Sequence, residues 1–132
     1  MVLSKILVAD DESSIRELTK MILEDAGYKV VTAESGIEAV EKASVERPDL
    51  VLLDMIMPGM GGLETCKILK SDPKTREIPV TMFTVLDGDD DRRLAQESGC
   101  NGYFLKPFMP KDLLTMVEKY VKKNGLDASL HT

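Results

Sequence analysis

Histidine is nearly missing from this chain. The single copy, His131, lies in the polar C-terminal stretch, so the body offers no imidazole for a catalytic triad, a zinc site or a phosphohistidine. Cysteine is scarce as well. Cys66 and Cys100 are too few for a disulfide scaffold and have no metal-ligand spacing, so they read as small buried hydrophobes in a reducing cytosol. No apolar run approaches the roughly 20 residues of a membrane span. The N-terminus, Met1-Val2-Leu3-Ser4-Lys5, lacks a signal-peptide pattern. These absences predict a cytoplasmic protein with no membrane partner. Basic residues are outnumbered, 17 against 23 acidic, for a net charge of -6. That balance argues against direct nucleic-acid binding, which needs clustered Lys and Arg.

What remains is a chain of 132 residues, enough for one domain with a real core. Strand-like apolar runs alternate with helix-period segments. Strands are predicted at Lys5–Ala9, Tyr28–Thr32, Asp49–Leu53, Ile78–Phe83 and Gly102–Leu105. Helices are predicted at Ser13–Ala26, Ser35–Glu46, Leu63–Lys70, Asp89–Ser98 and Lys111–Lys123. Ile15, Leu18, Ile22 and Ala26 form the expected inner face of the first helix, and Ser14 and Glu17 have capping-box spacing. Leu113, Leu114, Val117 and Val121 form that of the last, whose end Lys122 and Lys123 suit electrostatically. Residues 1–123 thus read as one domain and 124–132 as a tail or linker stub. Five alternations with short connections predict an α/β fold, a doubly wound five-stranded parallel sheet with right-handed crossovers.

In such a sheet every strand's carboxyl end lies on one edge, where open α/β folds place their chemistry. Asp10, Asp11 and Glu12 follow the first strand, Asp54 the third, Thr84 the fourth and Lys106 the fifth. The second strand supplies nothing, as expected of an edge strand. Asp54 is the most informative of these residues. It closes the unbroken run Leu50-Val51-Leu52-Leu53, the mark of a strand buried on both faces. On its own it is equally readable as a turn residue. Its company decides. Two carboxylates about 4 Å apart repel by about 4 kcal/mol at an effective dielectric near 20. Lys106 offsets part of that repulsion, and the all-oxygen remainder calls for a hard divalent cation, Mg²⁺ with Mn²⁺ as a substitute. A cation, a Lys, a hydroxyl and an ionised Asp are the equipment of phosphoryl transfer, with Asp54 as acceptor.

Taken together, Val8-Ala9-Asp10-Asp11-Glu12, Leu53-Asp54-Met55-Ile56-Met57-Pro58-Gly59, Thr84 and Lys106-Pro107-Phe108 resemble the receiver domain of two-component response regulators. In size the chain resembles the single-domain chemotaxis regulators. The resemblance covers about residues 3–123 and implies a flavodoxin-like (βα)5 fold with strand order 2-1-3-4-5. It implies Asp54 as phospho-acceptor, with Asp11 and Asp54 binding Mg²⁺ directly, Asp10 partly through water and the Ile56 backbone carbonyl completing the set. Thr84 and Lys106 would bind phosphoryl oxygens, Tyr103 would be the switch aromatic and the Lys106-Pro107 bond would be cis. The implied donor is a phosphohistidine on a sensor histidine kinase or phosphotransfer protein. The implied output is the surface of helix 4, strand 5 and helix 5, read by a downstream protein or output domain. Such a domain is not an enzyme beyond its own Mg²⁺-dependent phosphorylation and dephosphorylation. Val85, Ile56 and Leu86 depart from the family's usual smaller or polar residues. Val85 is expected to crowd the inward movement of Thr84 and Tyr103, and slow phosphate loss is expected.

Two other activities fit less well. An aspartyl-phosphate phosphatase needs an acid/base Asp two residues after its nucleophile, where Ile56 stands. A flavodoxin-like nucleotide-binding module would have its phosphate repelled by the acidic loop after the first strand. Asp87-Gly88-Asp89-Asp90-Asp91 lacks the EF-hand pattern and is expected to cap a helix. Gly59-Met60-Gly61-Gly62 lacks the phosphate-loop ending and is expected to be a flexible loop. Met21 and Met82 read as core filler, while Met55, Met57 and Met60 could line a partner-facing surface.

Overall fold

The computed structural model describes residues 4–121. Five strands and five helices alternate along it: β1 (Lys5–Ala9), α1 (Ser13–Asp25), β2 (Lys29–Ala33), α2 (Gly36–Glu46), β3 (Leu50–Leu53), α3 (Gly62–Ser71), β4 (Val80–Thr84), α4 (Asp89–Glu97), β5 (Gly102–Leu105) and α5 (Pro110–Glu118). The strands form one parallel sheet in the order β2-β1-β3-β4-β5. This is the flavodoxin-like arrangement implied by the resemblance.

Successive strand side chains point to opposite faces, so a sheet buried on both sides must feed two cores. Leu7, Ala9, Val51, Leu53 and Met82 join Ala39, Ala43, Cys66, Leu69 and Ala95 on the side of α2, α3 and α4. Ile6, Val8, Leu50, Leu52 and Phe83 join Leu23, Leu113, Met116 and Val117 on the side of α1 and α5. This double burial is why Ile6–Ala9 of β1 and Leu50–Leu53 of β3 read as continuous apolar runs. Each fully buried Leu contributes about 1.5–3 kcal/mol.

Helix ends account for most boundary differences. Ser35 caps α2, its hydroxyl accepting from the Glu38 N–H at 3.1 Å, and Arg47 ends it at φ 49°. In α1 the expected Ser14–Glu17 capping box does not form, because Glu12 occupies the N-cap and Ser14 is already inside the helix. The buried stripe of α1 is also rotated from the expected one. Arg16, Thr19 and Leu23 are buried, while Leu18 is 43% exposed and Met21 55%. Met21 is therefore not core filler, whereas Met82 is fully buried. Asp91 caps α4 as expected, accepting from the Gly88 N–H at 3.1 Å. The α5 helix ends at Glu118, and Lys122, Lys123, the stretch from Asn124 and His131 lie outside the described residues. Cys66 is buried, Cys100 is half-buried and both thiols are free. No helix among the described residues is long and apolar enough to cross a membrane.

Candidate functional site

The sheet delivers the site residues one position beyond its strands, where ladder hydrogen bonds still hold the backbone. The Asp10 N–H donates to the Ala33 carbonyl at 3.1 Å, the Asp54 N–H to the Ala9 carbonyl at 3.0 Å and the Lys106 N–H to the Thr84 carbonyl at 2.8 Å. Asp10, Asp54 and Lys106 are therefore fixed to neighbouring strands before any side chain interacts. The Lys106-Pro107 peptide is cis.

The side chains converge as the sequence suggested. The Lys106 ammonium lies 2.7 Å from Asp10 Oδ2 and 3.3 Å from Asp54 Oδ2. Carboxylate oxygens of Asp10, Asp11 and Asp54 all lie within 4.8 Å of one another. Asp10 is fully buried, Asp54 nearly so and Asp11 exposed, which leaves the group open to solvent on one side. The remaining oxygens of the two buried acids are held locally. Asp10 Oδ1 accepts from the Glu12 N–H at 2.9 Å and Asp54 Oδ1 from the Ile56 N–H at 3.1 Å.

Burial raises the Asp54 pKa, and the Ile56 N–H and the Lys106 charge oppose that rise without cancelling it. Burial alone would lower the Lys106 pKa. The hydrogen bond to Asp10 and the Asp54 and Asp10 charges outweigh it, so the ammonium is held more firmly than usual. The donor set is all oxygen, which suits a hard divalent cation. Glu12, which follows the pair, occupies the N-cap position of α1 and is not part of the carboxylate group.

Thr84 is fully buried at the end of β4, and its hydroxyl accepts from the Leu86 N–H at 3.3 Å. Tyr103 donates its hydroxyl to the Leu86 carbonyl at 2.7 Å, and the Arg92 guanidinium stands 4.5 Å from its ring centroid. Thr84 and Tyr103 thus meet at one residue, Leu86. Val85, between Thr84 and Leu86, is 59% exposed. A groove of about 430 Å³ opens beside Tyr103, between Arg92, Phe108, Met109 and Asp112.

Three features escaped the sequence. Arg16 is buried on α1, donating to the Asp10 carbonyl at 2.8 Å and to Glu34 at 3.1 Å. Its place four residues after the helix N-cap was a usable signal, but helical periodicity reads an Arg as solvated. Glu34 follows β2, so the second strand does supply a residue to this edge. Gly62 is the third. A Cβ there would overlap the Asp54 carbonyl oxygen and stand 2.7 Å from Met55 Cα. The glycine run is therefore not simply a flexible loop: it lets α3 close against the acceptor strand. Met55 and Met57 are buried beneath it, while Ile56 is 52% exposed, so those two methionines do not form the expected partner surface.

The parallel five-stranded sheet thus carries three carboxylates and a lysine together at its carboxyl edge. The profile of the response regulator receiver domain family matches residues 6–118. The chain is 40% identical over 119 residues to the phosphate regulon transcriptional regulatory protein PhoB of Klebsiella pneumoniae, covering 90% of this chain and 52% of that protein. It is 40% identical over 124 residues to the alkaline phosphatase synthesis transcriptional regulatory protein PhoP of Bacillus subtilis, covering 94% and 51%. The chemotaxis protein CheY4 of Vibrio cholerae superposes with a TM-score of 0.87 at 33% identity, over 91% of this chain and all of that one. The chain belongs to the response regulator receiver domain family, the switch modules of two-component signalling. It spans about half the length of the curated relatives it matches.

Proposed function

We propose that this chain is a phosphorylation-controlled switch in which Asp54 accepts a phosphoryl group. The donor is a phosphohistidine on a sensor histidine kinase or phosphotransfer protein in the cytoplasm. One observation carries the reading: a nearly buried carboxylate, a lysine and two further carboxylates share one solvent-open pocket at the carboxyl edge of the sheet. An Asp54 oxygen forms the new O–P bond as the donor's P–N bond breaks, and the leaving imidazole keeps the electron pair. Partial desolvation leaves Asp54 a stronger nucleophile than a surface carboxylate, while Lys106 is placed to take one phosphoryl oxygen.

The residues fit Mg²⁺, or Mn²⁺ in its place. Asp11 and Asp54 would hold it directly, Asp10 partly through water, and the Ile56 carbonyl would complete the protein ligands. Bound there, the ion supplies charge neutralisation for the phosphoryl oxygens. Outside this self-phosphorylation and its reversal, the domain turns over no substrate.

Phosphorylation adds about -1.5 to -2 charges at Asp54. Thr84 is bonded to the Leu86 N–H and Tyr103 to the Leu86 carbonyl, so a shift of the Thr84 hydroxyl toward a phosphoryl oxygen reaches Tyr103 and the groove beside it through the backbone of Leu86. The surface of α4, β5 and α5 is the output face, and a downstream partner shifts the equilibrium by its differential affinity for the two states. Asp54→Asn is expected to abolish phosphate incorporation from acetyl phosphate with Mg²⁺. Undiminished labelling of that variant overturns the assignment.

A further inference from the structure

Arg16 is an expensive residue to bury. It is 7% exposed, and its desolvation costs several kcal/mol unless geometry and hydrogen bonds offset it. The offset comes from two acceptors at once, the Asp10 carbonyl at 2.8 Å and the Glu34 carboxylate at 3.1 Å. A guanidinium fork reaches two such points rigidly, which a lysine does not. Packing alone gives no reason for it, because Leu23, Ile15 and Ile22 already seat α1 on the sheet.

The reason lies in which bond Arg16 restrains. The Asp10 N–H is held by Ala33, and the Asp10 carboxylate by Glu12 and Lys106. The carbonyl that Arg16 holds belongs to the Asp10–Asp11 peptide, whose orientation sets where the Asp11 side chain points. Among the described residues the Asp11 carboxylate has no hydrogen bond or ion pair of its own. It nevertheless lies within 4.8 Å of two other carboxylates, and like charges push it outward.

We propose that Arg16 is a positioning residue: anchored by Glu34, it fixes the Asp10–Asp11 peptide and keeps Asp11 converged on Asp10 and Asp54. The inference rests on reading this pocket as a divalent-cation and phosphoryl site. Groups that orient ligands from behind typically change metal affinity by about 10–100-fold when removed.

The test compares wild type with Arg16→Met and Arg16→Lys. Calorimetric titration with Mg²⁺ is expected to show an affinity at least about tenfold weaker in Arg16→Met, with a smaller loss in Arg16→Lys. Acetyl phosphate labelling is expected to need correspondingly more Mg²⁺ and to recover its wild-type rate at saturation. In metal-free protein, amide exchange at Asp11 and Glu12 should accelerate while that of Leu7 and Val8 in β1 stays unchanged. An affinity within twofold of wild type in folded Arg16→Met overturns the proposal, as does exchange raised uniformly over β1 and α1. If Arg16→Met does not fold, Arg16→Lys and Glu34→Gln decide by the same measurements. Wild type that binds no Mg²⁺ would overturn the reading of the pocket instead, and the metal-free exchange would still decide the role of Arg16.

Discussion

The Lys106 ammonium stands nearer to Asp10 Oδ2, at 2.7 Å, than to the acceptor Asp54 Oδ2, at 3.3 Å. The cation therefore rests on the acidic loop as well as on the acceptor, and moving it toward a phosphoryl group exchanges one buried partner for another.

Removing that lysine leaves a fully buried Asp10 without its counter-ion. Lys106→Met is expected to destabilise the metal-free protein by about 3–5 kcal/mol. Added Mg²⁺ should recover part of the loss, since a divalent ion replaces the missing charge. Urea denaturation with and without Mg²⁺ measures both effects, and equal stability of variant and wild type without metal contradicts the prediction.

Gly62 allows α3 to touch the acceptor strand. In Gly62→Ala the new methyl must displace the Asp54 carbonyl or Met55, at a cost of about 1–3 kcal/mol. Because the displaced backbone carries the acceptor, phosphorylation should fall even where the variant is fully folded. A labelling rate equal to wild type in folded Gly62→Ala would show that the contact does not position Asp54.

Tyr28 offers a test by pH far from the pocket. Its hydroxyl is buried without a hydrogen-bond partner among the described residues, and burial followed by the Glu118 charge pushes its pKa from 10.0 to about 12. The folded state thus holds the proton longer than the unfolded chain does. This contribution is whole below pH 10 and is lost as pH rises toward 12, a change of about 2–3 kcal/mol. Tyr28→Phe should lack that loss. Its stability relative to wild type should therefore rise between pH 10 and 12, with the neutral-pH difference near zero or in its favour. Parallel stability curves across that window would be inconsistent with the raised pKa.

Tyr103 and Arg92 tie α4 to the sheet. The Tyr103→Phe change removes the bond to Leu86, worth about 0.5–1.5 kcal/mol, and Arg92→Ala a cation–π contact worth about 0.5–1 kcal/mol. Both should speed amide exchange in α4 more than in α1. The double variant should lose less than the sum, because the two contacts share one ring. Strict additivity would mean they act independently.

Around the acceptor, Ile56 is half-exposed and Leu86 is the residue on which Thr84 and Tyr103 converge, so no polar side chain from either position orients an attacking water. Aspartyl phosphate is expected to persist for minutes or longer with Mg²⁺, and Ile56→Asn to shorten its life several-fold. A wild-type half-life of seconds, followed by phosphate release, would refute this.

The sheet and its site edge were legible because their physics is local. Strands buried on both faces leave unbroken apolar runs at Leu50–Leu53 and Ile6–Ala9, and a parallel sheet sends whatever follows those runs to one edge. Asp10, Asp11, Asp54, Thr84 and Lys106 were placed by that rule alone. Strand order was not legible from the runs and came through the family resemblance, because pairing is a long-range choice that no short window records.

Arg16, Glu34 and Gly62 belong to the tertiary structure. Periodicity marks an arginine as solvated and a glycine run as loose; only the packed fold brings a guanidinium under the Asp10 carbonyl and a helix onto the Asp54 backbone. The exposure of Leu18 and Met21 and the burial of Met55 and Met57 were decided there too, since apolar residues at a stripe's margin are sorted by what lies opposite them. The sequence determined which chemical groups this protein brings to the sheet edge. Tertiary packing decided how firmly each is held, because desolvation and hydrogen-bond geometry exist only once the partners meet.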